Sequence, residues 1–127
     1  INKIKVESIR EDIIKNIRLF NTVNTYISEL ELDLKSIKDL CFTLSDKIEK
    51  LFMIIVSKTD EKVFISCFVS KDLVEEKGLN ASNIVKELSP MIDGNGGGQP
   101  FFATAGGKKI DGIESVLSES EKIISQI

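Results

Sequence analysis

Asp93-Gly94-Asn95-Gly96-Gly97-Gly98-Gln99-Pro100-Phe101-Phe102-Ala103-Thr104-Ala105-Gly106-Gly107-Lys108-Lys109 holds six of the eight glycines of a 127-residue chain. Gly94, Gly96, Gly97 and Gly98 lack a Cβ, so positive φ is open to them and a ligand can approach the bare backbone. The same freedom weakens any regular element, and it stands directly before an apolar run (Phe101, Phe102, Ala103, Ala105) that reads as a strand. Successive N–H groups in such a loop can form a concave nest for an anion, typically phosphate. The alternative is a long connector that needs only flexibility.

Two established phosphate motifs fail on this stretch. A dinucleotide fingerprint requires G-x-G-x-x-G between a strand and a helix. Counted from Gly94, its last glycine is replaced by Gln99, and Pro100 with two phenylalanines favours an extended chain. A P-loop requires G-x-x-x-x-G-K-[ST]. Phe102 occupies the first glycine position of that pattern and Lys109 the position of the magnesium-binding hydroxyl.

Outward from the glycines, the elements follow from periodicity. Val6, Ile9, Ile13 and Ile17 recur at helical spacing among charged residues and predict an amphipathic leading helix. Ile4 extends its apolar stripe, which packs on the domain or pairs chains in weak self-association. Residues 17–23 read as a short strand and 26–33 as a connector, with Asp33 at the N-cap of a second helix. Ile37, Leu40, Cys41, Leu44, Ile48 and Leu51 line one face of that helix. Residues 51–56 and 63–69 are β-rich runs joined by a hairpin over 57–62. Leu-Phe-Met-Ile-Ile-Val shows no polar alternation, which predicts a central strand covered on both faces. A short helix over 70–76 is closed by Gly78, and Asn80 caps another with Ile84, Val85 and Leu88 inward, ending near Pro90. After the glycine loop and the 101–105 strand, Asp111 and Glu114 form a capping-box pattern for a last helix. Ile113, Val116, Leu117, Ile124 and Ile127 line its buried side.

This order predicts an α/β (α+β) domain, a mixed sheet of about four strands covered by helices and preceded by an amphipathic helix. The boundary falls between residues 1–15, the end of a helical linker or coiled coil, and residues 16–127, the globular part. A hydrophobic content of 42% with 29% charged residues is that of a globular domain rather than a disordered chain. No apolar run reaches the roughly 20 residues of a membrane span, so no membrane partner is expected. Ile1 follows no initiator methionine and opens in mid-pattern, which predicts a piece of a longer protein.

Histidine is absent, which removes the commonest general base, nucleophile activator and transition-metal ligand. Cys41 and Cys67 are too far apart for a C-x-x-C site and sit in apolar runs, so both are expected as reduced core residues. No catalytic and no metal-binding residue is assigned, and the chain reads as a binding module.

With the elements placed, a resemblance emerges. Ser-Lys-Asp-Leu-Val (70–74), Asn-Ala-Ser-Asn-Ile-Val-Lys-Glu-Leu (80–88) and Gly-Asn-Gly-Gly-Gly-Gln-Pro-x-x-x-x-Ala-Gly-Gly-Lys (94–108) resemble the DHH-associated domain. More narrowly, they resemble the version that ends bacterial alanyl-tRNA synthetase. The resemblance covers nearly all of residues 16–127 and is most specific over 94–108. Relatives in DHH phosphoesterases carry Gly-Gly-Gly-His with the histidine on substrate; here Gln99 and Pro100 follow the glycines, which favours the synthetase branch. Asn95 interrupts the glycine run usual there.

The resemblance implies tRNA binding, specific for the alanine tRNA. The domain would clamp the tRNA's outer corner so that upstream aminoacylation and editing domains of the same chain share one tRNA. Gly94, Gly96, Gly97, Gly98, Gln99, Gly106, Gly107, Lys108 and Lys109 are the candidate RNA contacts. No cofactor is implied for this segment; ATP, magnesium and zinc belong to the parent enzyme, which is cytoplasmic. The competing readings are the substrate-binding half of a DHH-type phosphoesterase or nuclease, and a protein-interaction module. A net charge of −3 is a poor footprint for an RNA binder, but no carboxylate lies between Gly94 and Lys109. Lys47, Lys50, Lys58, Lys62 and Lys86 would add to a basic face if the fold gathers them.

Overall fold

Leu-Phe-Met-Ile-Ile-Val, unbroken by a polar residue, forms the interior strand around which the other elements are arranged. The computed structural model of the chain describes residues 11–20, 23–30, 33–59 and 62–126. Ile4, Val6 and Ile9 of the leading stripe, Asp60 and Glu61 of the hairpin turn, and Ile127 lie outside them. Residues 11–16 are helical (α1). There follow β1 (Arg18–Phe20), β2 (Val23–Glu29), α2 (Leu34–Ser45), β3 (Leu51–Thr59), β4 (Lys62–Val69), α3 (Lys71–Lys77), α4 (Ala81–Leu88), β5 (Asn95–Gly98), β6 (Phe102–Gly107) and α5 (Ile113–Ser125). Single 3₁₀ turns at Ser89–Ile92 and Ile110–Gly112 precede β5 and α5.

The strands make one mixed sheet in the order β1-β2-β3-β4-β6-β5. β2 and β3 run parallel, with Asn24 opposite Leu51 and Glu29 opposite Val56. Parallel neighbours need a crossover, and α2 supplies it. All other pairs are antiparallel.

Because β3 is interior, its alternate residues feed two cores. Phe52, Ile54 and Val56 join Val63, Ile65, Cys67 and Val69 of β4 beneath α3, α4 and α5. Leu51, Met53 and Ile55 face the other way and pack with Tyr26, Phe68 and the Ile37, Leu40, Cys41, Leu44 stripe of α2. Ile13 is fully buried in that second cluster, so the described turn and a half of α1 packs on the sheet. Helices thus cover both faces.

α4 is the helix that flanks the glycines. Eight residues are too few for a helix to persist alone in water. Two local devices hold it. The Asn80 side-chain oxygen accepts from the Asn83 N–H at 3.2 Å, capping the first turn. Ala81, Ile84, Val85 and Leu88 are buried against the sheet. Leu88→Ala would remove the last of these anchors, at a cost of about 2–5 kcal/mol.

The class read from the sequence holds, but the strand count is six rather than about four. The strand expected over 17–23 is split, and the connector expected over 26–33 begins as strand: Arg18–Phe20 pairs back on Val23–Thr25, and β2 continues to Glu29. A strand buried from Leu51 to Ser57 cannot sit at an edge with unpaired amides, and Val23, Thr25, Tyr26 and Ile27 are strand-forming residues able to cover its open side. The second helix stops at Ser45, so Ile48 and Leu51 reach the α2-side cluster from the following turn and from β3. Asp111 lies inside a 3₁₀ turn that runs straight into α5; Gly112 takes the N-cap position and no side chain caps it. Asp33, Gly78 and Asn80 stand at the helix ends the sequence assigns to them.

Candidate nucleic-acid interface

The glycine run is not a loop. Asn95–Gly98 is an edge strand in register with β6, Gly96 opposite Ala105 and Gly98 opposite Ala103. Glycine is required there by proximity. A Cβ on Gly96 would overlap the Thr104 carbonyl and stand 2.5 Å from the Ala105 Cα, and one on Gly98 would stand 2.7 Å from the Phe102 carbonyl oxygen. Gly107 is constrained likewise by the Ile92 carbonyl. Gly97 differs: a Cβ would meet only Ser82 Oγ at 3.6 Å and Lys86 Cε at 3.7 Å, ordinary contact distances.

The amides expected to form a nest therefore divide. Gly94 N–H donates to the Ser89 carbonyl at 3.0 Å, Gln99 N–H to the Phe102 carbonyl at 2.8 Å, and Lys109 N–H to the Ile92 carbonyl at 3.0 Å. These three are spent within the fold. Amide direction alternates along an antiparallel ladder. With Gln99 turned toward β6, Gly97 and Asn95 turn the same way, and Gly96 and Gly98 point from the open edge of the sheet. Both are exposed, and no strand lies beyond β5 among the described residues.

β6 also separates the candidate residues into two groups. Gly98 and Gln99 lie at its Phe102 end, whereas Gly106, Gly107, Lys108 and Lys109 lie at its far end beside Val63 and Ile92. At about 3.4 Å per residue the two ends stand about 17 Å apart. Lys58 and Lys62 belong to the far group, since Lys58 pairs with Val63 and Val63 with Gly107. Lys86 stands over Gly97. Lys50 is set apart by an ion pair with Glu76 at 3.3 Å.

At the near end the hairpin turn adds side chains that the sequence did not nominate. Gln99, Gly98, Phe101, Phe102, Lys38 and Phe42 help to line a cavity of about 250 Å³. Phe42 meets the Phe101 ring edge-on at 6.2 Å and that of Phe68 at 5.4 Å, and Lys38 Nζ stands 6.0 Å from the centre of Phe102. Lys38 and Phe42 are some 60 residues upstream of the glycines, so only the α2 crossover reveals their place. A groove of about 330 Å³ between α3, α4 and α5 is lined by one residue of each charge, Lys77 and Glu87.

Neither thiol is placed for chemistry. Both are free and buried, and burial pushes Cys41 up to about 12 and Cys67 well above the usual thiol range. Among the described residues, no group of three or more Cys, Asp or Glu side chains is placed to hold a metal ion. No described helix is long and apolar enough to cross a membrane.

Comparison with known proteins converges on one family. The model of the DHHA1 domain matches residues 19–126. The alanine–tRNA ligase of Christiangramia forsetii is 42% identical over 130 residues, covering 96% of this chain and 15% of that protein. That of Flavobacterium psychrophilum is 34% identical over 122 residues, covering 96% of the chain and 14% of the relative. The chain thus spans about a seventh of the length of these relatives. The crystal structure of the C-Ala domain from Aquifex aeolicus alanyl-tRNA synthetase has the same fold, with a TM-score of 0.74 at 22% identity over 85% of this chain and 96% of that one. A DHH-domain member of the s1p family of ribosomal proteins is similar in fold at a TM-score of 0.54 and 14% identity, over 93% of this chain and 30% of that one.

Proposed function

The chain belongs to the DHHA1 domain family, and we propose that it is the tRNA-binding C-terminal domain of an alanine–tRNA ligase. In this reading it does no chemistry. It holds the outer corner of the alanine tRNA while upstream domains of the same cytoplasmic protein charge and edit it. ATP, magnesium and zinc serve those domains. Support comes from the ligase relatives, which the chain matches over nearly its full length.

The observation that carries the reading is the open edge of β5. Gly96 and Gly98 direct two amides outward where the neighbouring cations are Lys86 and Lys38. Uncapped amides beside cations suit phosphate or ribose oxygens. Gln99 adds an exposed side chain that both donates and accepts, fit for a base edge. Lys108 and Lys109, at the far end of β6, make a second and separate phosphate contact in this reading. Gly94, Gly106 and Gly107 set the shape of the edge. RNA is read by shape and exposed bases more than by groove insertion, which a short edge strand and a tight turn can satisfy.

The test is an amide spectrum of the 127-residue chain titrated with an alanine tRNA transcript. Gly96, Gly98, Gln99, Lys108 and Lys109 are expected to shift, and the shifts to shrink as salt rises. Shifts confined to β1 and α5, or none at low salt, would remove the assignment.

A further inference from the structure

We propose that the cavity between α2 and the β5–β6 turn receives a single unpaired nucleobase of the bound RNA, stacked on Phe102 and held at its edge by Gln99. This rests on the tRNA-binding reading and adds to it a specific ligand group and four residues, Lys38, Phe42, Phe101 and Phe102.

Size selects the occupant first. About 250 Å³ falls below the ≈ 300–1,000 Å³ typical of sites that engulf a drug-sized molecule. It has room for one planar ring system and not for a dinucleotide. The lining selects its chemistry. Phe42, Phe101 and Phe102 are each partly exposed, although Phe42 packs against rings on three sides. Their remaining surface is apolar and aromatic, and no acidic residue lines the cavity.

The polar groups at the rim match the rest of a nucleotide. Gly98 N–H points from the open edge of β5 beside the cavity. The Gln99 side chain is exposed, so its amide can reach a base edge. Lys38 lies across the opening on an exposed turn of α2, where its charge can meet the phosphate that follows the base. An apolar peptide side chain would use the rings but leave the lysine and the glutamine unmatched.

Backbone hydrogen bonds hold the turn in place. The Pro100 carbonyl accepts from Ala81 N–H at 2.8 Å and the Phe101 carbonyl from Val69 N–H at 2.8 Å, which ties the turn to α4 and β4. A base that enters therefore meets a preformed surface.

Stacking on one aromatic ring contributes a salt-independent share of affinity, whereas phosphate contacts set the salt slope. The two are separable. Phe102→Leu, Phe102→Tyr, Gln99→Ala and Lys38→Gln variants of the chain are compared with the parent for binding to an alanine tRNA transcript, across a salt series and with folding checked by thermal denaturation. Phe102→Leu should weaken binding between about five- and 150-fold with unchanged salt slope, the loss expected for one stacked base. Phe102→Tyr should restore it, and Gln99→Ala should weaken it. Lys38→Gln should lower the slope by about one phosphate. Parent-like binding by Phe102→Leu overturns the proposal, as does equal affinity for an RNA duplex without unpaired bases. If Phe102→Leu does not fold, parent-like binding by both Gln99→Ala and Lys38→Gln overturns it. Loss of tRNA binding in the parent itself would instead remove the function reading.

Discussion

Adjacent glycines should respond to alanine with opposite signs. At Gly96 the new Cβ would overlap the Thr104 carbonyl and stand 2.5 Å from the Ala105 Cα and 2.8 Å from its Cβ. Carbon atoms prefer about 3.5–4.0 Å, so β5 must retreat by about an ångström. Ladder hydrogen bonds stretch out of range over that distance, each worth about 0.5–1.5 kcal/mol net. Two or three lost bonds cost about 1–4.5 kcal/mol. At Gly97 the nearest atoms are 3.6 and 3.7 Å from the Cβ, and its φ is not in the left-handed region. Gly97→Ala should then leave stability unchanged or raise it by about 0.4–1 kcal/mol through the unfolded chain. Urea denaturation of both variants measures the contrast. Because an edge strand can open while the rest stays folded, hydrogen exchange at the Gly97 amide should accelerate in Gly96→Ala even where the midpoint moves little. Equal stability and equal exchange in the two variants would refute the packing account.

Three further outcomes follow from particular contacts. Asn80→Ala removes the acceptor for the Asn83 N–H and should cost about 1 kcal/mol, seen as a lower denaturation midpoint. Cys41 and Cys67 should resist a thiol reagent at pH 8 in the folded chain and react together on unfolding, since both are buried and held protonated. The same burial gives a pH dependence. With the folded Cys41 thiol at about 12 against an unfolded 9.0, its contribution is fully present below pH 9 and lost as pH rises to about 12. Cys41→Ala should flatten the alkaline limb of a stability–pH profile; an unchanged limb would contradict the assignment.

The sequence exposes most of the fold because its strongest signals are local. The apolar run of β3 and the α2 stripe need no tertiary information. Asp33, Gly78 and Asn80 mark helix ends through chemistry within three residues. The misreadings come from partners distant in sequence. Val23–Glu29 carries a mixed pattern because one side packs beneath α5 and the other beside α2, and only β3 fixes it as a strand. The glycines of β5 look like flexibility when read alone, yet Gly96 is dictated by β6 pressing against it. Likewise the candidate contacts look contiguous in the sequence, but a strand places its first and last residues at opposite ends. Lys108 and Lys109 are thus parted from Gln99, while Lys38 and Phe42 arrive beside it from α2.

The salt dependence of alanine tRNA binding, in the parent chain and in Lys108→Ala with Lys109→Ala, tests the central claim most directly. Each duplex phosphate contact contributes about 0.9 to the slope of log affinity against log salt. Removing two should lower the slope by about 1.8, and affinity at low salt should fall while the thermal midpoint stays put. Identical affinity and slope in parent and variant would mean that the far end of β6 does not touch the RNA. No measurable affinity for tRNA in either chain, at any salt, would contradict the proposed function itself.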